Sequence, residues 1–217
     1  MKKLVKMLTL SSLLLASCQE ENVGRRGDDE GAGRQPNLHQ YYQLDTDQSV
    51  VEWWGRSLET EHHGSFSVQG RFIEVVGSKV KKGTFTIPIV SIKNFDLPEE
   101  FKTVLLDHLK SSDFFNLALY PNASFILEEM VPTVKDAEGA MAGANCTLSG
   151  DFTMLDKTLE ISFPAKVVIS DKQLFVSAKF SIDRTQWGMT YGTDSTLGDH
   201  YIYPDVDLHL KLSASRH

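Results

Sequence analysis

The sequence predicts an all-β fold, an eight-stranded antiparallel barrel with one amphipathic helix packed over it. Eight segments alternate apolar and polar side chains with a period of two, the pattern of strands that bury one face. One segment alone has the apolar periodicity of a helix. The chain contains no strand–helix–strand rhythm and no internal repeat, so parallel α/β architectures are disfavoured.

The predicted strands are long, and each has one apolar face. Closing such a sheet on itself covers a continuous apolar face and removes unpaired edges. A barrel of about eight strands is either filled by its own side chains or holds one small apolar ligand. A two-sheet sandwich is the alternative on pattern alone. The predicted strands are residues 48–58, 65–76, 79–92, 123–130, 146–154, 159–169, 173–183 and 206–214.

The predicted helix follows Asp96, which is the expected N-cap. Apolar residues then recur on one face at Phe101, Leu105 and Leu109. Residues 111–113 break the helix before a turn leads into the next strand. Because a single amphipathic helix among strands must cover something, this helix is predicted to lie over either a packed core or the mouth of a cavity.

The first seventeen residues are a predicted lipoprotein signal peptide. A basic start precedes an apolar run at residues 8–15, which is too short to span a bilayer. Ala16 and Ser17 then lead directly into Cys18, as in a bacterial lipobox, so Cys18 is predicted to be acylated. An ordinary signal peptide with a chance cysteine is the alternative. Acylation of Cys18 would leave Cys146 without a disulfide partner.

Residues 18–40 are the predicted tether and residues 41–217 the barrel domain. The tether is rich in glycine and charge and has almost no apolar side chains. The chain carries a formal net charge of −7, which disfavours nucleic acid as a partner. The predicted membrane contact is the lipid anchor, in the bacterial cell envelope, with the outer membrane favoured and its periplasmic or surface face open. A homodimer is an open alternative to a monomer.

No catalytic or metal-binding motif stands out in the sequence, which predicts a protein without catalysis, metal or cofactor. His62 and His63 are adjacent, and on a strand they would point to opposite faces. A histidine-based metal or hydrolytic site is therefore the less favoured alternative. Asp183 and Arg184 beside Trp187 predict an ion pair with ring stacking at one end of the barrel.

The apolar residues predict the lining of an elongated lipid pocket. The alternative is a structural or interaction lipoprotein without catalysis, whose barrel is filled by its own side chains. Apolar burial at about 25 cal/mol per Å² would supply affinity with few polar groups. The candidate ligand-binding residues are Trp54, Phe66, Phe72, Phe85, Ile87, Phe101, Leu105, Leu109, Phe114, Phe125, Phe163, Phe180 and Trp187.

Several stretches resemble signature motifs of YceI-like proteins. Residues 108–115 (HLKSSDFF) with 120–125 (YPNASF) resemble the family's HLxSxDFF and YPxAtF elements. Residues 49–53 (SVVEW) match its SxVxW opening, and 62–66 (HHGSF) its HxGxF element. Residues 180–192 (FSIDRTQWGMTYG) match its closing FxIxRxxWGmxYG.

This resemblance implies a barrel similar to that of lipocalins, with the helix packed over it. Some members bind polyisoprenoids or other long-chain amphiphiles in the barrel, and many are secreted or periplasmic. The implied ligand is a polyisoprenoid, quinone-like or fatty-acyl lipid, held for sequestration or transport. Residues 112–115 become a predicted lid hinge. Residues 146–158 depart from the family pattern with bulkier side chains, which predicts an altered inner shape of the pocket.

Overall fold

The structure is a computed structural model that describes residues 39–133 and 141–217. The predicted signal peptide, Cys18 and nearly all of the tether lie outside the described residues. Within the described ranges, one α-helix, α1 (Glu99–Lys110), and three 3₁₀ helices (Ile89–Ser91, Arg184–Trp187 and Ser195–His200) accompany a single antiparallel sheet. Its strands are β1 (His39–Leu44), β2 (Val50–Arg56), β3 (Glu61–Ser67), β4 (Gln69–Gly70), β5 (Phe72–Val76), β6 (Lys79–Pro88), β7 (Lys93–Asn94), β8 (Asn122–Pro132), β9 (Cys146–Met154), β10 (Lys157–Ile169), β11 (Gln173–Asp183) and β12 (Asp205–Arg216).

The sheet closes into the predicted eight-stranded barrel. Its strand order is β1-β5-β6-β8-β9-β10-β11-β12, and β1 pairs with β12 to complete the ring. Strand β12 pairs with β1 through its last residues and with β2 through residues 207–211. Strand β3 in turn pairs with β2. One continuous closed sheet rules out the two-sheet sandwich. The short strands β4 and β7 pair with β6 and β3 respectively.

The two ends of the barrel differ. At one end, β1 begins and β12 finishes, and fully buried side chains such as Tyr42 and Leu174 pack the interior. Tyr42 also donates a hydrogen bond from its hydroxyl to the carbonyl oxygen of Ser170 at 2.6 Å. We call this the closed end. The opposite end, called the mouth, carries the β2–β3 connection, α1 and the segment between β11 and β12.

One predicted strand was wrong in its boundaries, and one strand was missed. The predicted strand at 65–76 is three strands, because the chain bends between Ser67 and Phe72 and changes partners from β2 to β1. Strand β1 was not predicted, because it has only six residues and buries only Tyr42 and Leu44. The bend also changes which side chains face inward, so that Ile73 and Val75 are buried and Phe72 is not.

Helix α1 lies at the mouth with one face half-buried. Leu105 and Leu109 are partly covered, whereas Phe101 is 58% exposed. The predicted cap is wrong: Pro98 occupies the N-cap position and no side chain caps the helix. Asp96 instead accepts hydrogen bonds from β3, as described below. Among the described residues, no helix is long and apolar enough to cross a membrane.

Candidate functional site

A cavity of about 860 Å³ occupies the barrel interior and opens at the mouth. Its walls are the inward-facing side chains of the strands. Near the closed end these are aliphatic, and include Val80, Leu148 and Leu212. The barrel is therefore hollow, and the filled core considered from sequence does not describe it.

Phenylalanines form the middle of the cavity wall. Phe163 and Phe180 stack with ring centroids 4.1 Å apart and planes 6° from parallel. The ring of Phe125 lies 5.8 Å from that of Phe163. All three, with Phe85, line the cavity. Side chains of this kind bind apolar chains through burial and offer no polar group to a ligand.

Polar side chains of the lining gather at the mouth. Arg56, His62, His108 and His200 lie there together with Asp199. They form a polar collar around the entrance to an otherwise apolar space. A ligand with one polar end and a long apolar chain matches this arrangement.

Arg56 is held in place by two carboxylates. Its Nε atom donates to Glu61 at 2.6 Å, and its Nη1 atom donates to Asp207 at 2.5 Å. Both hydrogen bonds raise the pKa of Arg56, and the one to Asp207 has the larger effect. The guanidinium therefore stays charged at the entrance of the cavity.

Asp96 connects β3 to the start of α1. Its carboxylate lies 2.7 Å from Nδ1 of His62 and accepts from the backbone N–H of His63 at 2.8 Å and from Nδ2 of Asn94 at 2.7 Å. Burial raises the pKa of Asp96, but the hydrogen bonds from His63, His62 and Asn94 outweigh it and leave the pKa below its usual value. Because His62 lines the cavity, this cluster fixes one side of the mouth.

Arg184 fixes another part of the mouth, and it does so without the predicted ion pair. No salt bridge joins it to Asp183, whose carboxylate instead accepts from the N–H and hydroxyl of Thr185. Arg184 is 3% exposed and donates to the carbonyl oxygens of Met189 at 2.7 Å and Tyr191 at 2.8 Å. Its longer hydrogen bonds reach Ile202 and Tyr203. Burial lowers the pKa of Arg184. Backbone carbonyl oxygens, and not a carboxylate, accept the hydrogen bonds of its guanidinium.

Nine of the thirteen candidate ligand-binding residues line the cavity. Those on strands occupy the alternate positions whose side chains face the barrel interior. The others lie on the covered face of α1 or in the segment that follows it. The nine are Phe66, Phe85, Ile87, Leu105, Leu109, Phe114, Phe125, Phe163 and Phe180.

Two of the other four candidates face outward on their element. Trp54 points away from the interior and stacks on His63, with ring centroids 6.2 Å apart. Its neighbour Trp53 lines the cavity instead, because successive strand side chains point to opposite faces. Phe101 lies on the solvent side of α1, since the helix turns Leu105 and Leu109 towards the barrel.

The remaining two candidates are displaced from the cavity for different reasons. Phe72 is 40% exposed and lies against His217. The bend before β5 turns its side chain outward, whereas the predicted strand at 65–76 would point it inward. Trp187 is buried but packs behind the wall. Its indole N–H donates to the carbonyl oxygen of Phe152 at 3.2 Å, and the two rings meet edge to face.

Several lining residues were missing from the sequence prediction. Ile161, Val176 and Leu208 could have been found from the period-two pattern of their strands. Met189 and Tyr191 could not, because they lie in an irregular segment that Arg184 holds against the mouth. Within the described ranges, no group of three His, Cys, Asp or Glu side chains could hold a metal ion.

Comparisons with known proteins agree with this architecture. A family model described as a YceI-like domain matches residues 42–214. The crystal structure of BcnA from Burkholderia cenocepacia has 19% identity and a TM-score of 0.61, and the match covers 79% of this chain and 99% of that one. None of the curated proteins matches the chain.

Two further solved structures have the same fold. One is a polyisoprenoid binding domain from Saccharophagus degradans, implicated in plant cell wall breakdown, with 15% identity and a TM-score of 0.58 over 83% of this chain and 100% of that one. The other is the YceI protein of Campylobacter jejuni, with 20% identity and a TM-score of 0.50 over 71% and 84%. At these identities the likeness concerns the fold.

Proposed function

Because the chain belongs to the YceI-like family, we propose that it is a non-catalytic protein that binds a long apolar lipid inside its barrel. The observation that carries the proposal is the cavity of about 860 Å³, apolar along the barrel and polar only at its mouth. A structural relative that binds polyisoprenoids supports the same ligand chemistry. The protein sequesters or transports this lipid.

The ligand enters with its apolar chain first. Each methylene buried contributes about 0.8 kcal/mol, so a long chain gains most of its affinity from the aliphatic and phenylalanine walls. The polar end stays at the collar, where Arg56, His62 and His108 offer charge and hydrogen bonds. Polyisoprenoid, quinone-like and fatty-acyl lipids all meet this description.

A lipid-binding titration with two tryptophan variants tests the proposal. Val176 lines the cavity, whereas Val168 lies on the neighbouring strand and is 45% exposed. Val176→Trp should lower the affinity for a fluorescent fatty acid and for a polyprenyl probe by more than about tenfold, because the indole fills the space that the chain needs. Val168→Trp, the matched control, should bind like the original protein. Equal binding by both variants would place the probe outside the barrel and contradict the proposal.

The protein is anchored in the bacterial cell envelope through acylated Cys18, in the outer membrane on its periplasmic or surface face. The lipobox-like sequence before Cys18 and the tether to the barrel support this part of the proposal. Several acyl chains on one residue suffice for stable anchoring. Cys18→Ser should abolish incorporation of an alkyne-labelled fatty acid into the protein. Undiminished labelling of that variant would show that the acyl group is not on Cys18.

A further inference from the structure

Exposed apolar side chains are concentrated at the mouth of the barrel. Among the residues that the structure describes, the six most exposed large apolar side chains are between 54% and 68% exposed. All six lie in connections at the mouth end, and we call them the mouth rim. They are Leu58, Val90, Phe95, Phe101, Val104 and Leu119.

The elements of the barrel explain why these residues surround the entrance. Leu58 lies at the tip of the β2–β3 connection, whose neighbours Ser57 and Thr60 line the cavity. Phe101 and Val104 occupy the outer side of α1, whose inner side lines the cavity. The other three lie in the segments that join β6 to α1 and α1 to β8.

The barrel wall has no comparable concentration within the described ranges. Its exposed apolar side chains are less exposed, as Ile126 and Val131 on β8 illustrate, and Val168 on β10 forms only a pair with its cross-strand partner Phe175 on β11. Single apolar side chains and small pairs of this kind are normal on a protein surface, whereas a larger group around one opening indicates a contact surface.

We propose that the mouth rim docks on a lipid bilayer with neutral headgroups, so that the ligand passes between membrane and cavity without entering water. This inference rests on the proposed function, since the surface that covers the mouth must supply or receive the ligand. The rim inserts its side chains among the headgroups, and the cavity opens directly onto the acyl region.

The cost of moving an apolar chain through water favours a bilayer as the occupant. Each methylene that leaves an apolar environment for water makes the transfer about fourfold less favourable, and this factor multiplies along a chain of about twenty carbons. Release into water would therefore be extremely slow. A bilayer that covers the rim removes this step, because the chain then leaves one apolar environment for another.

The charges near the rim favour neutral over anionic lipid. Glu59 follows Leu58 directly and Glu100 directly precedes Phe101, whereas Glu99 is neutralised by an ion pair with Lys102 at 2.9 Å. The whole chain also carries a net charge of −7. Anionic headgroups would repel such a surface, so docking depends on apolar insertion, and salt does not weaken it.

The length of chain outside the structure is compatible with this orientation. His39 begins β1 at the closed end, away from the rim. A chain of about 21 residues separates Cys18 from His39 and reaches about 70 Å at full extension. A twelve-residue strand such as β12 is only about 40 Å long. A protein anchored through Cys18 can therefore turn its mouth towards the membrane that holds the anchor.

The rate of ligand transfer to vesicles tests the inference on residues 35–217. The match to this part of the chain covers 99% and 100% of two solved chains, so the barrel alone accounts for both of those structures. The loaded domain should transfer a fluorescent fatty acid to phosphatidylcholine vesicles at a rate that rises with vesicle concentration. The double variant Phe101→Ser/Val104→Ser should transfer about tenfold more slowly at unchanged ligand affinity. Val131→Ser/Val168→Ser, with 46% and 45% exposed valines on the wall, is the matched control and should transfer normally.

Each other outcome contradicts a distinct part of the account. A rate that does not depend on vesicle concentration, or equal rates for the two double variants, would overturn docking through the rim. Faster transfer to vesicles containing phosphatidylglycerol would overturn the preference for neutral lipid. A dimer that the Phe101→Ser/Val104→Ser variant converts to a monomer, with transfer unchanged, would assign the rim to a second copy of the chain. A domain that never loads the fatty acid would instead contradict the proposed function.

Discussion

The guanidinium carbon of Arg184 lies 5.7 Å from the centre of the Phe114 ring. Phe114 follows α1, and its ring also lies 5.0 Å from that of His108 and 5.2 Å from that of Tyr191. Arg184 donates to the carbonyl oxygen of Tyr191 as well. One buried cation therefore joins the segment after the helix to the segment between β11 and β12, and the two together form one side of the mouth.

Arg184→Met should lower the free energy of unfolding by about 2–4 kcal/mol, because the buried carbonyl oxygen of Met189 and the part-buried one of Tyr191 would lose their donor. Arg184→Lys should not restore stability, since one ammonium cannot reach carbonyls arranged around a planar guanidinium. Urea denaturation measures both. Exposed Arg71→Met is the control. A loss below about 0.5 kcal/mol for Arg184→Met would show that these hydrogen bonds do not hold the mouth together.

Asp96 should make the stability of the mouth depend on pH. Hydrogen bonds from His63, His62 and Asn94 outweigh burial and leave the pKa of Asp96 below its usual value near 3.8. Its contribution to stability is therefore complete above that pH and is lost as the pH falls through the lower, folded-state value. Urea denaturation from pH 7 to pH 3 should show Asp96→Asn less stable at neutral pH, with the difference narrowing in acid. A difference that does not change with pH would contradict this account.

Gly64→Ala should separate β7 from β3. A Cβ atom at Gly64 would lie 1.7 Å from the carbonyl oxygen of Lys93, so the two backbones could not keep their distance. The displacement would also disturb Asp96, and the loss should be about 2–3 kcal/mol in urea denaturation. Gly55→Ala is the control on β2, where the nearest atom would lie 4.0 Å away. Equal stability of the two variants would refute the close approach.

Cys146 should resist thiol reagents in the folded protein. Its side chain is fully buried, and burial raises the pKa of the thiol to about 11. At pH 8 the smaller thiolate fraction alone should slow modification about 10²-fold relative to an ordinary cysteine, and lack of access should slow it further. The rate of reaction with a chromogenic disulfide, measured on residues 35–217 with and without urea, checks this. Rapid modification without urea would mean that the closed end opens readily.

Much of the barrel could be predicted because period-two patterning is a local property of each strand. The strands from 146 to 214 alternate regularly, and the structure confirms each of them in antiparallel pairs. The bend before β5 was not predictable in the same way. Local sequence does not record that the chain changes partners there from β2 to β1, and this change alone moves Phe72 outward and Ile73 inward.

The candidate site was predictable on regular strands, where the period-two pattern decides which side chains face the cavity. Phe163 and Phe180 lie on regular strands and line the cavity as expected. Alternation does not predict which of the adjacent Trp53 and Trp54 faces the cavity, because both side chains are apolar. Only the register of β2 against its neighbours decides which one points inward. Arg184 was noted for its charge, but its acceptors are backbone carbonyls of an irregular segment that no sequence pattern identifies.

Native mass spectrometry of the protein isolated gently from its own envelope tests the central claim most directly. Each barrel should hold one amphiphile with a long apolar chain, which Val168→Trp should retain and Val176→Trp should lack. A ligand-free protein that also takes up no polyprenyl or fatty-acyl probe would contradict it.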